Sequence, residues 1–127
     1  MRIPLTVAVL LFGATGTLLA QDAVKVDAKH YQVLFEDAQI RVLRITYGPR
    51  EKSVMHEHPV GTCAVMLTAG QLRMHTPDGK FTEDPPAKAG DVICTAAGPG
   101  TEKHNPENMA NGQFSAVLVE RKAPSKP

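Results

Sequence analysis

Ser53-Val54-Met55-His56-Glu57-His58-Pro59 is the stretch on which the reading of this chain turns. On a helix, residues two apart point about 200° away from each other, and their imidazoles cannot share a small ion. On a β-strand the side-chain period is 2, so His56 and His58 face one side and Glu57 the other. A same-face imidazole pair is the beginning of a metal site. Inside a β-barrel, a third ligand and an open coordination position would complete it.

The flanking sequence reads as β. Residues 40–47 (IRVLRITY) are rich in β-branched side chains and end at Gly48-Pro49. Shorter strands are predicted over 31–35, 53–58, 62–68, 71–76, 81–82, 92–95 and 114–120. Pro59 marks the end or edge of its strand. Pro77-Asp78-Gly79-Lys80 is a hairpin turn, since Asp-Gly tolerates positive φ. Residues 98–111 hold several Gly and Pro and read mostly as loop, 21–29 reads as a loose lead-in, and no stretch reads as a helix. About eight short strands with frequent turns predict an all-β fold, one small antiparallel β-barrel or jelly roll.

The first 20 of the 127 residues have another character. Met1-Arg2 is followed by an uncharged, mostly apolar run to Ala20, which predicts a secretory signal peptide over 1–20, cut after Ala20. Thr6, Gly13, Thr15, Gly16 and Thr17 make the run a poor membrane span. The expected mature protein is exported, periplasmic or secreted, and free of the membrane. It divides into a lead-in and first strand over 21–39, a barrel over 40–121 and a flexible tail over 122–127. Arg2 is the only charge in the leader, so 13 basic residues then balance 13 acidic ones. That balance makes no case for nucleic acid or an anionic membrane. Two cysteines, Cys63 and Cys94, permit a disulfide in an oxidising compartment.

Two motifs in order give the chain a resemblance to the cupin superfamily, to its small single-domain members. The first cupin motif is matched by Gly48, His56-x-His58, Cys63 in the position of the usual Glu, and Gly70. The second is matched by Gly90-Asp91, Ala96 in a Pro position, Gly98, and then either Thr101 and Asn105 without a gap or His104 and Asn108 with three residues inserted. The second alignment is preferred, because His104-x-x-x-Asn108 then runs in the usual way into 114–120. The resemblance spans roughly residues 40–120. It implies a double-stranded β-helix holding one divalent metal (Fe, Mn, Ni, Cu or Zn) on His56, His58 and His104, and pairing as a homodimer through sheet edges. Three imidazoles suit those ions and leave positions for water, substrate or O₂.

Cys63 has three readings: a small buried residue, a thiolate ligand favouring Zn or Cu, or the partner of Cys94. Met55, Met66 and Met74 read as core filler rather than a copper site. His30 and His75 read as surface or structural. Asp91 serves the turn it follows. Arg41, Arg44, Tyr47 and Glu107 can reach a ligand, but nothing in the sequence selects them. Two functions fit: metal-dependent, dioxygenase-like chemistry on a small molecule, or non-catalytic binding of a metal or small metabolite. No general base stands out in the sequence, and Glu57 points away from the histidines.

Overall fold

The structure, a computed structural model, describes residues 21–58, 61–96 and 103–122. The leader over 1–20, Pro59, Gly98, Thr101 and the end of the tail lie outside these residues. Eight strands follow a single helical turn, α1 (Ala23–Val26): β1 (Tyr31–Glu36), β2 (Ile40–Tyr47), β3 (Thr62–Met66), β4 (Leu72–His75), β5 (Phe81–Glu83), β6 (Val92–Thr95), β7 (Asn105–Asn108) and β8 (Phe114–Arg121). Five form one sheet in the order β1-β2-β8-β3-β6, and three form a second in the order β5-β4-β7. All the named pairings are antiparallel.

The core sits on the inner face of the large sheet, and alternation puts it there. Along β2 the buried side chains are Leu43, Ile45 and Tyr47; along β8 they include Phe114, Ala116 and Leu118. The register sets Leu43 opposite Leu118, Ile45 opposite Ala116 and Tyr47 opposite Phe114. The Tyr47 and Phe114 rings stack with centroids 5.9 Å apart. Burying each large apolar side chain stabilises the fold by about 1.5–3 kcal/mol. Gly70 completes the packing, because a Cβ there would lie 2.8 Å from Phe114 Cδ2.

The sequence reading is corrected in three places. The lead-in contains α1, nucleated by Asp22, whose Oδ1 accepts hydrogen bonds from the Val24 and Lys25 amides at 2.9 and 3.3 Å. The loop expected over 98–111 contains β7, which pairs with β4 despite an Asn-Pro-Glu-Asn sequence of low strand propensity. Residues 53–58 form isolated bridges rather than a strand. The β4–β5 hairpin forms as read, with Gly79 at φ 81° in its turn.

Candidate metal centre

Three partners hold the main chain of the His-x-His segment, the Asp27 side chain and the backbones of His104 and Gln21. The Val54 amide donates to Asp27 Oδ2 at 2.9 Å, and the Glu57 amide to the Gln21 carbonyl at 3.0 Å. Between them His56 pairs with His104 through two main-chain hydrogen bonds, 2.9 Å from the His56 amide and 2.8 Å from the His104 amide. That pairing brings the third imidazole beside the first two. The ring centroids of His56 and His104 are 4.8 Å apart, and those of His56 and His58 are 4.9 Å apart. Glu57 turns away, its carboxylate accepting from the Gln21 amide at 3.0 Å.

The hydrogen bonds behind the rings fix which nitrogens face one another. His56 is fully buried, and its Nδ1 lies 2.7 Å from the Val54 carbonyl oxygen. A carbonyl only accepts, so Nδ1 carries the proton and Nε2 keeps its lone pair. His58 Nδ1 lies 2.7 Å from Glu120 Oε1, which likewise leaves Nε2 to face inward. The two Nε2 atoms are 3.2 Å apart. Nitrogens bound about 2.1 Å from one ion at tetrahedral or octahedral angles stand about 3.0–3.4 Å apart, so this pair fits. The ligand atoms of all three histidines lie within 4.8 Å of one another. Among the described residues this is the one group of three or more His, Cys, Asp or Glu side chains that could share an ion.

Electrostatics favour the neutral form that a metal needs. Burial, above all, pushes the His56 ring down to about 4; the Val54 hydrogen bond opposes this, and neighbouring His58 and His104 add to it. Glu120 is 2% exposed. Burial alone would raise its carboxyl, but hydrogen bonds from His58 and Arg41 outweigh that and hold it below the usual range. Arg41 is anchored in turn, with Nε 2.5 Å from Glu120 Oε2 and a terminal nitrogen 2.7 Å from Asp22 Oδ2. Two tyrosines close the other side. The Tyr31 hydroxyl lies 3.0 Å from His56 Nε2 and in contact with the Tyr47 hydroxyl, and burial pushes both phenols well above their usual range.

A cavity of about 410 Å³ opens from the histidines. Its wall is mainly apolar, with Ile45, Ala64, Met66, Leu72, Met74, Ile93 and Leu118, and Thr62, Thr76, Thr82 and Thr95 add hydroxyls. Asp84 is its single carboxylate among the described residues, and burial raises that group.

The structure brings His56, His58 and His104 together and excludes Cys63. On β3 the cavity is lined by Thr62, Ala64 and Met66, so Cys63 faces the other side of the sheet by alternation. Its sulfur is bonded to Cys94, its direct cross-strand neighbour on β6. The reading of Cys63 as a thiolate ligand, or as a free buried thiol, is therefore corrected to a disulfide. His75 pairs with Glu107 at 2.6 Å, away from the centre. His30 is buried, 2.7 Å from Asp27 Oδ2 and 3.0 Å from Glu51 Oε2. Asn108, fully buried, donates to the Gly48 and Gly112 carbonyls at 2.9 and 2.8 Å and pins the strand ends. Asp91 accepts from the Lys88 amide at 2.8 Å within its turn.

Two site residues escaped the sequence reading. Glu120 shares an inward face with Phe114, Ala116 and Leu118, and that period of 2 was the available signal. Tyr31 opens β1, where nothing in the sequence reveals that it reaches His56.

No protein-family model matches the chain, and no curated protein does. Solved structures do. A cupin domain from Bordetella pertussis Tohama I is 24% identical at a TM-score of 0.64, over 73% of this chain and 92% of that one. A protein with a double-stranded β-helix domain from Klebsiella pneumoniae is 25% identical at a TM-score of 0.53, over 72% and 74%. A cupin 2 conserved barrel domain protein from Salinispora arenicola is 24% identical at a TM-score of 0.52, over 73% and 75%. The chain has the fold of these proteins, an all-β double-stranded β-helix of the cupin type, with a cluster of three histidines able to hold a metal.

Proposed function

We propose that His56, His58 and His104 hold one divalent transition metal, Fe, Mn, Ni, Cu or Zn, and that the cavity presents a small, largely apolar molecule to it. The observation that carries this reading is the pair of inward Nε2 atoms 3.2 Å apart, each with its Nδ1 committed elsewhere. Such a metal would supply Lewis acidity and a template for substrate and O₂. The chain's own residues supply the rest. Glu120 and the Val54 carbonyl orient the imidazoles, the apolar wall excludes water from the reacting molecule, and the threonines offer hydrogen bonds to its polar groups. These features support metal-dependent, dioxygenase-like oxidation.

A second reading is non-catalytic capture of a metal or small metabolite. It is favoured by the sparse acid–base equipment of the cavity, where Asp84 is the single carboxylate among the described lining residues. Oxygen-electrode and product assays on metal-loaded protein, run with panels of small aromatic and enolic compounds, separate the two. Metal-dependent O₂ uptake with any of them establishes the enzyme. Tight binding with no turnover establishes the carrier.

The same proposal has the protein exported to the periplasm or beyond the cell. The Cys63–Cys94 disulfide supports this, since such bonds persist in oxidising compartments. Mass spectrometry of the native N-terminus, expected at Gln21, tests it. Homodimer formation through sheet edges is supported by β1, an edge strand with Val33, Leu34 and Phe35 exposed. Sedimentation velocity would report a dimer or a monomer.

A further inference from the structure

Tyr31 and Tyr47 are 2% and 1% exposed, and the metal reading leaves both hydroxyls unused. Their arrangement has a direction. His56 Nδ1 donates to the Val54 carbonyl, so His56 Nε2 can only accept. The Tyr31 hydroxyl, 3.0 Å away, therefore donates to it. The Tyr31 oxygen keeps lone pairs, and the Tyr47 hydroxyl, which touches it, donates to those. The result is a one-way chain, Tyr47 to Tyr31 to His56, ending on the atom that His56 must offer to an ion. One lone pair cannot serve a hydroxyl proton and a cation at once. When a cation takes it, the Tyr31 O–H must turn to another acceptor, and the Ser53 hydroxyl oxygen beside both tyrosines is one. Tyr31 also lines the cavity, so an oxygen of the molecule lying there competes with Ser53 for that proton, and an anionic oxygen is the stronger acceptor.

We propose that Tyr31 is an exchangeable donor that caps His56 Nε2 in the metal-free protein and, once a metal is held, selects cavity ligands that offer it an oxygen acceptor, such as a carboxylate, phenolate or enolate. This rests on the reading of the three histidines as metal ligands. Tyr47 is the positioning residue: by occupying a lone pair of the Tyr31 oxygen, it keeps the Tyr31 proton aimed at the site.

The chain contains two tyrosines and no tryptophan, so its near-ultraviolet absorption comes almost wholly from this pair. The test uses the purified metal-free protein, its Tyr31→Phe variant, Zn(II), which is itself silent in this range, and acetate as the oxygen-acceptor probe. Zn(II) binding is followed separately by calorimetry. Zn(II) should shift the tyrosine band of the wild type. Tyr31→Phe should bind Zn(II) a few-fold more tightly, because the competing cap is gone, and should show no such shift. Acetate should bind the Zn(II)-loaded wild type about tenfold more tightly than the loaded variant, the worth of one hydrogen bond to an anion. Zn(II) binding that leaves the wild-type band unmoved, or equal acetate affinity in the two proteins, overturns the exchange. Absence of Zn(II) binding by calorimetry in both proteins overturns the metal reading itself, and this inference with it.

Discussion

At the scale of single residues, the centre depends on groups behind the imidazoles as much as on the imidazoles. Glu120 is a buried carboxylate at the inward end of an otherwise apolar strand face, and Arg41 and His58 are what make its charge tolerable there. Glu120→Gln keeps the shape and removes the charge that orients His58. Metal affinity should fall about 10- to 100-fold with the fold intact, as measured by zinc competition titration beside circular dichroism. An unchanged affinity would reduce Glu120 to an anchor for Arg41. His56 makes a pH prediction. Its ring titrates near 4 in the folded metal-free protein and about 6.5 when unfolded. Between those values the unfolded chain binds the extra proton, so stability is lost as pH falls from about 6.5 toward 4. Thermal melts of metal-free protein across that range should show the loss, and His56→Gln should flatten it. Gly70→Ala forces a Cβ against the Phe114 ring and should destabilise by about 1–3 kcal/mol in urea titrations.

At the scale of elements, what was legible was what hydrophobic alternation and turn chemistry encode locally. β2 and β8 stand out because β-branched and apolar residues run along them, and the β4–β5 hairpin because Asp78-Gly79 can adopt its turn. β7 was not legible. Its Asn105-Pro106-Glu107-Asn108 has no strand preference of its own, and pairing with β4 imposes the conformation. Residues 53–58 fail to become a strand for a related reason. Their main-chain partners come in turn from Pro106, the Asp27 side chain, His104 and Gln21, so no continuous ladder forms. The histidine pair was legible from a two-residue spacing, and His104 from its place before Asn108. Glu120 and Tyr31 needed the register between strands. Cys63 shows the same limit: counting put it in a ligand position, whereas the pleat turns it outward onto Cys94. The disulfide closes a separation of 31 residues, and replacing both cysteines with alanine should cost about 2–4 kcal/mol in denaturant titrations. Metal uptake should survive, since the bond lies on the face of β3 away from the histidines. Loss of uptake would mean that β3 and β6 depend on the bond to shape the site.

At the scale of the whole molecule, two sheets meet around one apolar cavity, with the histidine cluster at its side. The fold brings together residues from the N-terminal lead-in, the His-x-His segment, the entry to β7 and the end of β8. None of these segments could form the centre alone. Crystals of the protein soaked in Zn(II), with anomalous data collected at the zinc edge, test the central claim most directly. The expected result is one strong peak per chain within about 2.0–2.2 Å of an imidazole nitrogen of His56, His58 and His104. No peak there, or occupancy only at another pair such as the partly buried His75 and Glu107, would contradict it.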